Sequence, residues 1–368
     1  MREDRVENIV LFEGTDMEGR KTRVVSLISA GCDILRALDS GHLLVGHAHT
    51  PCDAADFSGL QVCTESLTGE MLSTNEYEAA TQTFGAFLRE FEFGNVGTPD
   101  AMVEWALAPH RVIVEKLKEL KPDLVITQHQ TRHGIPSLWL ERALETFLGW
   151  KINVIRIDLR TLDGIWDGIL TIMQELGLRS ESLLNVIQGR IHLVQEMCRG
   201  RGRRRVLFLQ WNGSSCLSHV SASVGTWIWD VIDLVGGTNP FWKQQDASFT
   251  KREELPSHFV DLDSIKSLSL DVLILTNHAL GVKDLSDRVL LHDQWVKQLF
   301  SSPSFRLVVV HGPCFLARPS PSLLVDSTEA LCEILYPECQ AFGHEGSLWM
   351  PISQTFTNHD STDPEGLF

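Results

Sequence analysis

The chain is expected to fold as an α/β protein with two doubly wound lobes bridged by a long helix. Three observations predict this. Short apolar runs recur along the chain: 23–28, 43–46, 123–127, 152–157, 205–210, 271–275 and 306–311. Most are apolar at successive positions, as in parallel strands covered on both faces. Helical segments separate them, and alternating strands and helices indicate a doubly wound architecture. Finally, residues 159–200 run for about forty positions without a strand-like segment, more than a typical loop.

Taken in order, residues 1–20 read as a charged N-terminal extension, and 21–158 as the first lobe. Within it, 98–121 reads as one helix, with Thr98 as its cap and Pro99 at its first position. Residues 159–200 form the connecting segment: one helix, a break near Gly177, then a spine helix from about Ser180. The second lobe spans 201–345 and includes a helix over 320–338 that opens on Ser320 and Pro321. Residues 346–368 read as a polar tail. A length of 368 residues suits two lobes better than one core.

Composition narrows the function. Hydrophobic residues make up 43% and charged residues 22%, with a formal net charge of −16. So acidic a chain is not expected to bind nucleic acid through phosphate neutralisation. The tract RGRGRRR at 199–205 reads as a solvated turn rather than a nuclear-localisation or RNA-contacting segment. No apolar run reaches the ~20 residues of a membrane span. The charged start, MREDRVENIV, has no apolar core of a secretory signal, so a cytoplasmic location with reduced thiols is expected. The eight cysteines show no CxxC pairing, and Cys32, Cys52 and Cys63 read as small buried side chains rather than a metal site.

Polar groups gather directly after the strands. Ser29 follows the first, with Ala30 and Gly31; small residues there let a helix end approach a ligand. His47 and His49 follow the second, and Gln128, His129, Gln130 and His133 the third. In the second half, Trp211, Asn277, and Phe315 with Arg318 hold equivalent places. Strand-exit loops of facing lobes would line a single cleft rich in imidazole, amide and aromatic groups. Buried core packing is the plain alternative for Trp211, and a structural ion pair for Arg318.

A metal-dependent hydrolase could draw on the same histidines. Neither histidine pair forms HExxH, however, and no GxSxG elbow or GxxxxGK[ST] loop occurs. No catalytic or metal-ligating residue is assigned.

Several blocks carry a resemblance. RVVSLISAGCDILRAL followed by LLVGHAHTPCD, KPDLVITQHQ, RVLFLQW, VIDLVGGTNPF and LARPSPSLLVDSTEALCEILYPE resemble, in that order, blocks of the cobalamin-binding, periplasmic-type substrate-binding proteins of class III. The likeness runs from about Arg23 to Pro337. KPDLVITQHQ, close to the family's RPDLIVTQDQ, and the last block are its most specific parts. The resemblance implies two α/β lobes on a helical backbone, and non-catalytic binding of cobalamin or a related corrinoid or tetrapyrrole in the cleft. The chain departs from the family pattern at His49–Asp53, at Thr131–Gly134, and at Gln210, where the family carries Glu before Trp211. Without a signal peptide a transporter partner is not expected. An interaction protein that keeps the fold without its ligand is the other reading.

Overall fold

The computed structural model describes residues 21–49, 57, 59–66, 98–107, 110–129, 137–179, 181–211, 221–222, 227–240, 258–259, 262–277, 280–292 and 305–352. Two main sheets form, one on each side of a helical connection. The first has the order β3-β2-β1-β6-β7, with β1 at Val24–Ser26, β2 at Leu44–His47, β3 at Gln61–Val62, β6 at Leu124–Gln128 and β7 at Asn153–Ile157. All its pairings are parallel. Its direction of winding reverses between β1 and β6, the place where open α/β sheets leave a crevice beyond the strand ends. A separate two-stranded sheet pairs β4 (Thr64–Ser66) with β5 (His110–Val112).

The second sheet has the order β11-β9-β8-β12-β13-β14. Its parallel centre is β8 (Arg204–Gln210), β12 (Val272–Thr276) and β13 (Arg306–Val310). The short strands β9 (Ser221–Ala222) and β11 (His258–Phe259) extend one edge, and β10 (Gly237–Thr238) pairs with β8. At the other edge β14 (Trp349–Pro351) pairs antiparallel with β13. Regular structure thus reaches into 346–368, which the sequence pattern assigned to a tail; Trp349, at 3% exposure, is the apolar anchor.

Each of the seven apolar runs becomes a strand. The helix over 98–121 does not form as one piece. It divides into α2 (Pro99–Glu104), the strand β5 and α3 (Val114–Leu120). Pro109 supplies the reason: proline has no N–H to donate and disfavours helix in the residue before it. The Thr98 side chain makes no capping bond, whereas Ser320 accepts from the Leu323 N–H at the start of α10 (Pro321–Leu335).

In the connecting segment α5 spans Leu162–Glu175 and the spine helix α6 spans Glu181–Cys198. Gly177 adopts φ +63 between them, a conformation in which a side chain would be strained. The arginines of 199–205 are spent locally: Arg199 pairs with Glu196, Arg201 and Arg204 with Glu338, Arg203 with Asp233 and Arg205 with Asp271. No helix among the described residues is long and apolar enough to cross a membrane.

The lobes are not independently packed. One buried apolar cluster runs from Ile34 and Ile126 on the first side, through Ile191 of the spine, to Phe208 and Trp227 on the second. A smaller cluster around Leu209, Leu275 and Val309 belongs to the second lobe.

Candidate functional site

The parallel strands of the first lobe end side by side. Ser29 opens α1 (Ser29–Ala37) after β1, His47 and His49 stand at the exit of β2, and Gln128 and His129 at the exit of β6. Gln128 is half-buried and His129 exposed, its backbone held by a 2.9 Å bond from its N–H to the Ile157 carbonyl. Gln130 and His133 lie outside the described residues.

The two β2 histidines differ. His47 is 4% exposed; its Nδ1 lies 2.7 Å from the Ala48 carbonyl, to which it donates, and its ring packs on Phe57. It is a core histidine rather than a rim group. His49 is half-buried. Its Nδ1 and its backbone N–H both reach Thr64 Oγ1, at 2.8 and 2.9 Å, and its ring lies 4.8 Å from that of His110. Burial holds the His49 pKa below the ordinary value, with Glu65 acting weakly the other way, so the imidazole stays neutral at pH 7. His110 comes from β5, the strand that broke the expected helix.

Gly31 has a packing role. A Cβ there would lie 2.4 Å from Ser26 Oγ and 2.7 Å from Ile126 Cγ2, so the glycine lets α1 close onto β1 and β6. Ser29 is itself buried, at 7% exposure.

In the second lobe the aromatic groups expected on the cleft wall are interior. Trp211 is 4% exposed within the smaller cluster and Phe315 is fully buried in the main one. Asn277 is buried as well and donates from Nδ2 to the Trp211 carbonyl at 2.7 Å, tying the β12 exit to the β8 exit. The hydrophobic gain from burying a large ring outweighs leaving it at an open rim. Arg318 joins the lobes: its Nε donates to Asp33 Oδ2 at 2.8 Å and a terminal nitrogen reaches Oδ1 at 3.4 Å. It is the structural ion pair that the sequence offered as an alternative.

Sequence reading missed His311, the residue directly after β13. The strand-exit rule covers it, but the expected loop was placed one residue later. Burial, then the neighbouring Arg318, push its pKa below the ordinary value. Its Nδ1 accepts from the Cys314 N–H at 3.4 Å, which leaves the proton of the neutral ring on Nε2. Asp33 was also missed, since nothing local links it to a partner 285 positions away.

Beyond β7 the chain is acidic. Asp158 accepts from Arg160 Nε at 2.7 Å, and that bond chiefly holds its carboxyl below the usual carboxylate range. A cavity of ≈ 740 Å³ opens there, lined by Asp158, Asp163, Asp167, Asp230 and Asp233 with Arg156. It has no aromatic lining and does not suit an apolar planar ring. Among the described residues His47, His49 and His129 form no cluster able to hold one metal ion.

No protein-family model matches the sequence, and no curated protein matches it. Solved structures do. A periplasmic heme-binding protein from Pseudomonas aeruginosa superposes with TM-score 0.56 at 14% identity, covering 90% of this chain and 98% of that one. A periplasmic heme-binding protein of Vibrio cholerae gives 0.55 at 18%, covering 86% and 99%. An ABC transporter substrate-binding protein from Listeria monocytogenes gives 0.54 at 13%, covering 86% and 100%. The two sheets, the spine helix and these superpositions together show that the chain has the bilobed α/β fold of the class III periplasmic substrate-binding proteins.

Proposed function

We propose that this protein binds a large planar metal chelate, a heme or a corrinoid such as cobalamin, between its lobes and performs no chemistry on it. The observation that carries the reading is the fold shared with two periplasmic heme-binding proteins over most of the chain. The strand exits of the first lobe add neutral His49, Gln128 and exposed His129 beside the switch point between β1 and β6. Such groups suit peripheral amides or propionates of a macrocycle, and an imidazole can approach its metal. Cobalamin is the finer form of the proposal; heme is the form the superposed structures favour.

The burial of Trp211 and Phe315 favours a second reading, an interaction protein on the same fold whose aromatic groups have been absorbed into the core. Visible-absorbance titration with hemin and with aquocobalamin separates the two. A saturable spectral change at one equivalent supports binding, and its weakening in His49→Ala or His129→Ala locates it. Folded protein that takes up neither chromophore overturns the leading reading.

A further inference from the structure

We propose that Asp326, Glu329 and His344 form a binding site for one divalent transition-metal ion of the zinc type. The site lies in the second lobe, where α10 meets the loop that leads into β14. One ligand atom from each residue can be chosen so that all lie within 4.8 Å of one another, close enough for small side-chain rotations to bring them onto a single ion. Asp326 and Glu329 are three residues apart and share a face of α10. His344 Nε2 already sits 2.9 Å from Glu329 Oε2.

The surroundings hold these donors in place. Arg190 of the spine helix donates to Glu329 Oε1 at 2.7 Å, so Oε2, which otherwise accepts from His344 Nε2, is the oxygen turned towards the site. Outer-sphere bonds of this kind orient ligating carboxylates in metal sites. The loop that carries His344 is equally fixed. Glu333 accepts from the Gly343 N–H at 2.7 Å and from Trp349 Nε1 at 2.7 Å, and the His344 carbonyl accepts from the Leu348 N–H at 2.9 Å. Glu329 is 5% exposed, and Asp326 and His344 are half-buried.

Charge argues for a cation. Asp326 accepts no hydrogen bond among the described residues, yet it faces Glu329. Two carboxylates face one Arg190 charge, so with His344 neutral, as metal ligation requires, the site is net negative and a divalent ion would offset it. An imidazole beside two carboxylates suits zinc and its neighbours rather than calcium or magnesium, which prefer oxygen shells. Binding replaces the hydrogen bond from Nε2–H to Glu329 Oε2: the ring proton then stands on Nδ1, the Nε2 lone pair faces the ion, and solvent completes the shell.

The full-length protein, stripped with chelator, should be titrated calorimetrically with zinc sulfate alongside Asp326→Asn and His344→Gln. Wild type should take up one saturable equivalent that each variant loses or binds at least tenfold more weakly, and calcium or magnesium should not compete. Cobalt should give a visible ligand-field band in wild type only. Asp326→Asn removes a group with no hydrogen bond to lose, so it reports on the site even if His344→Gln loosens the loop. Unchanged zinc stoichiometry and affinity in Asp326→Asn, or no zinc uptake by wild type, overturns the proposal.

Discussion

Replacing Arg318 with Met would leave the Asp33 carboxylate buried without its principal partner. The side chains of the pair are only 12% and 2% exposed, so solvent screening is slight. Removing one partner of such a pair typically costs 3–5 kcal/mol, because the other charge is left desolvated. Arg36 lies 3.7 Å from Asp33 but is itself 42% exposed, so it compensates in part and the low end applies. Arg318→Met should therefore lose about 3 kcal/mol. Because a single apolar cluster crosses both lobes, unfolding should be one transition, and this loss corresponds to a fall of roughly 4 °C in Tm for a chain of this length. Asp33→Asn should cost a similar amount. The double variant should cost little more than either single change, giving a coupling energy of about 2–3 kcal/mol in a urea-unfolding cycle. A coupling below about 0.5 kcal/mol would show that the ion pair does not fasten the lobes.

Gly31→Ala should destabilise by about 1–3 kcal/mol, since its Cβ would press on Ser26 Oγ and Ile126 in a closed core. Gly189→Ala, where a Cβ meets nothing within 4 Å on the spine helix, should instead stabilise by about 0.5–1 kcal/mol; denaturant midpoints of the two variants check both signs. The depressed pKa values of His49 and His311 predict a pH effect. Their contribution to stability is fully present above the unfolded value of about 6.5 and is lost as pH falls from there towards the folded values. Wild type should thus lose stability between about pH 7 and pH 5, and His311→Gln should flatten that slope; an unchanged slope would remove His311 from the account.

The parallel sheets were legible because their signal is local. Runs such as LFLQ and LVVV are apolar at successive positions, and only burial on both faces accommodates that. The break at Gly177 and the Ser320–Pro321 helix start were legible for the same reason: each depends on a few adjacent residues. The division of 98–121 was within reach, since Pro109 was in view, but the periodicity of the flanking segments masked it. β14 could not be read, because its one strong feature, Trp349, becomes informative only when β13 is there to pair with.

The site was less legible. Strand-exit position correctly marked which residues follow the sheet, and His49 and His129 do stand there. It could not say which way a side chain turns. Trp211 and Phe315 occupy exit positions and fold inward, His47 bonds to its own neighbour, and Asp33 finds Arg318 from the far end of the chain. The sequence by itself determined the order of the seven main strands and the place of the spine helix, through hydrophobic runs and helix-breaking residues that act over a few positions. Tertiary structure alone decided which polar groups remain at the rim and which are consumed in the core, because burial and ion pairing depend on neighbours that come together only once both lobes have packed.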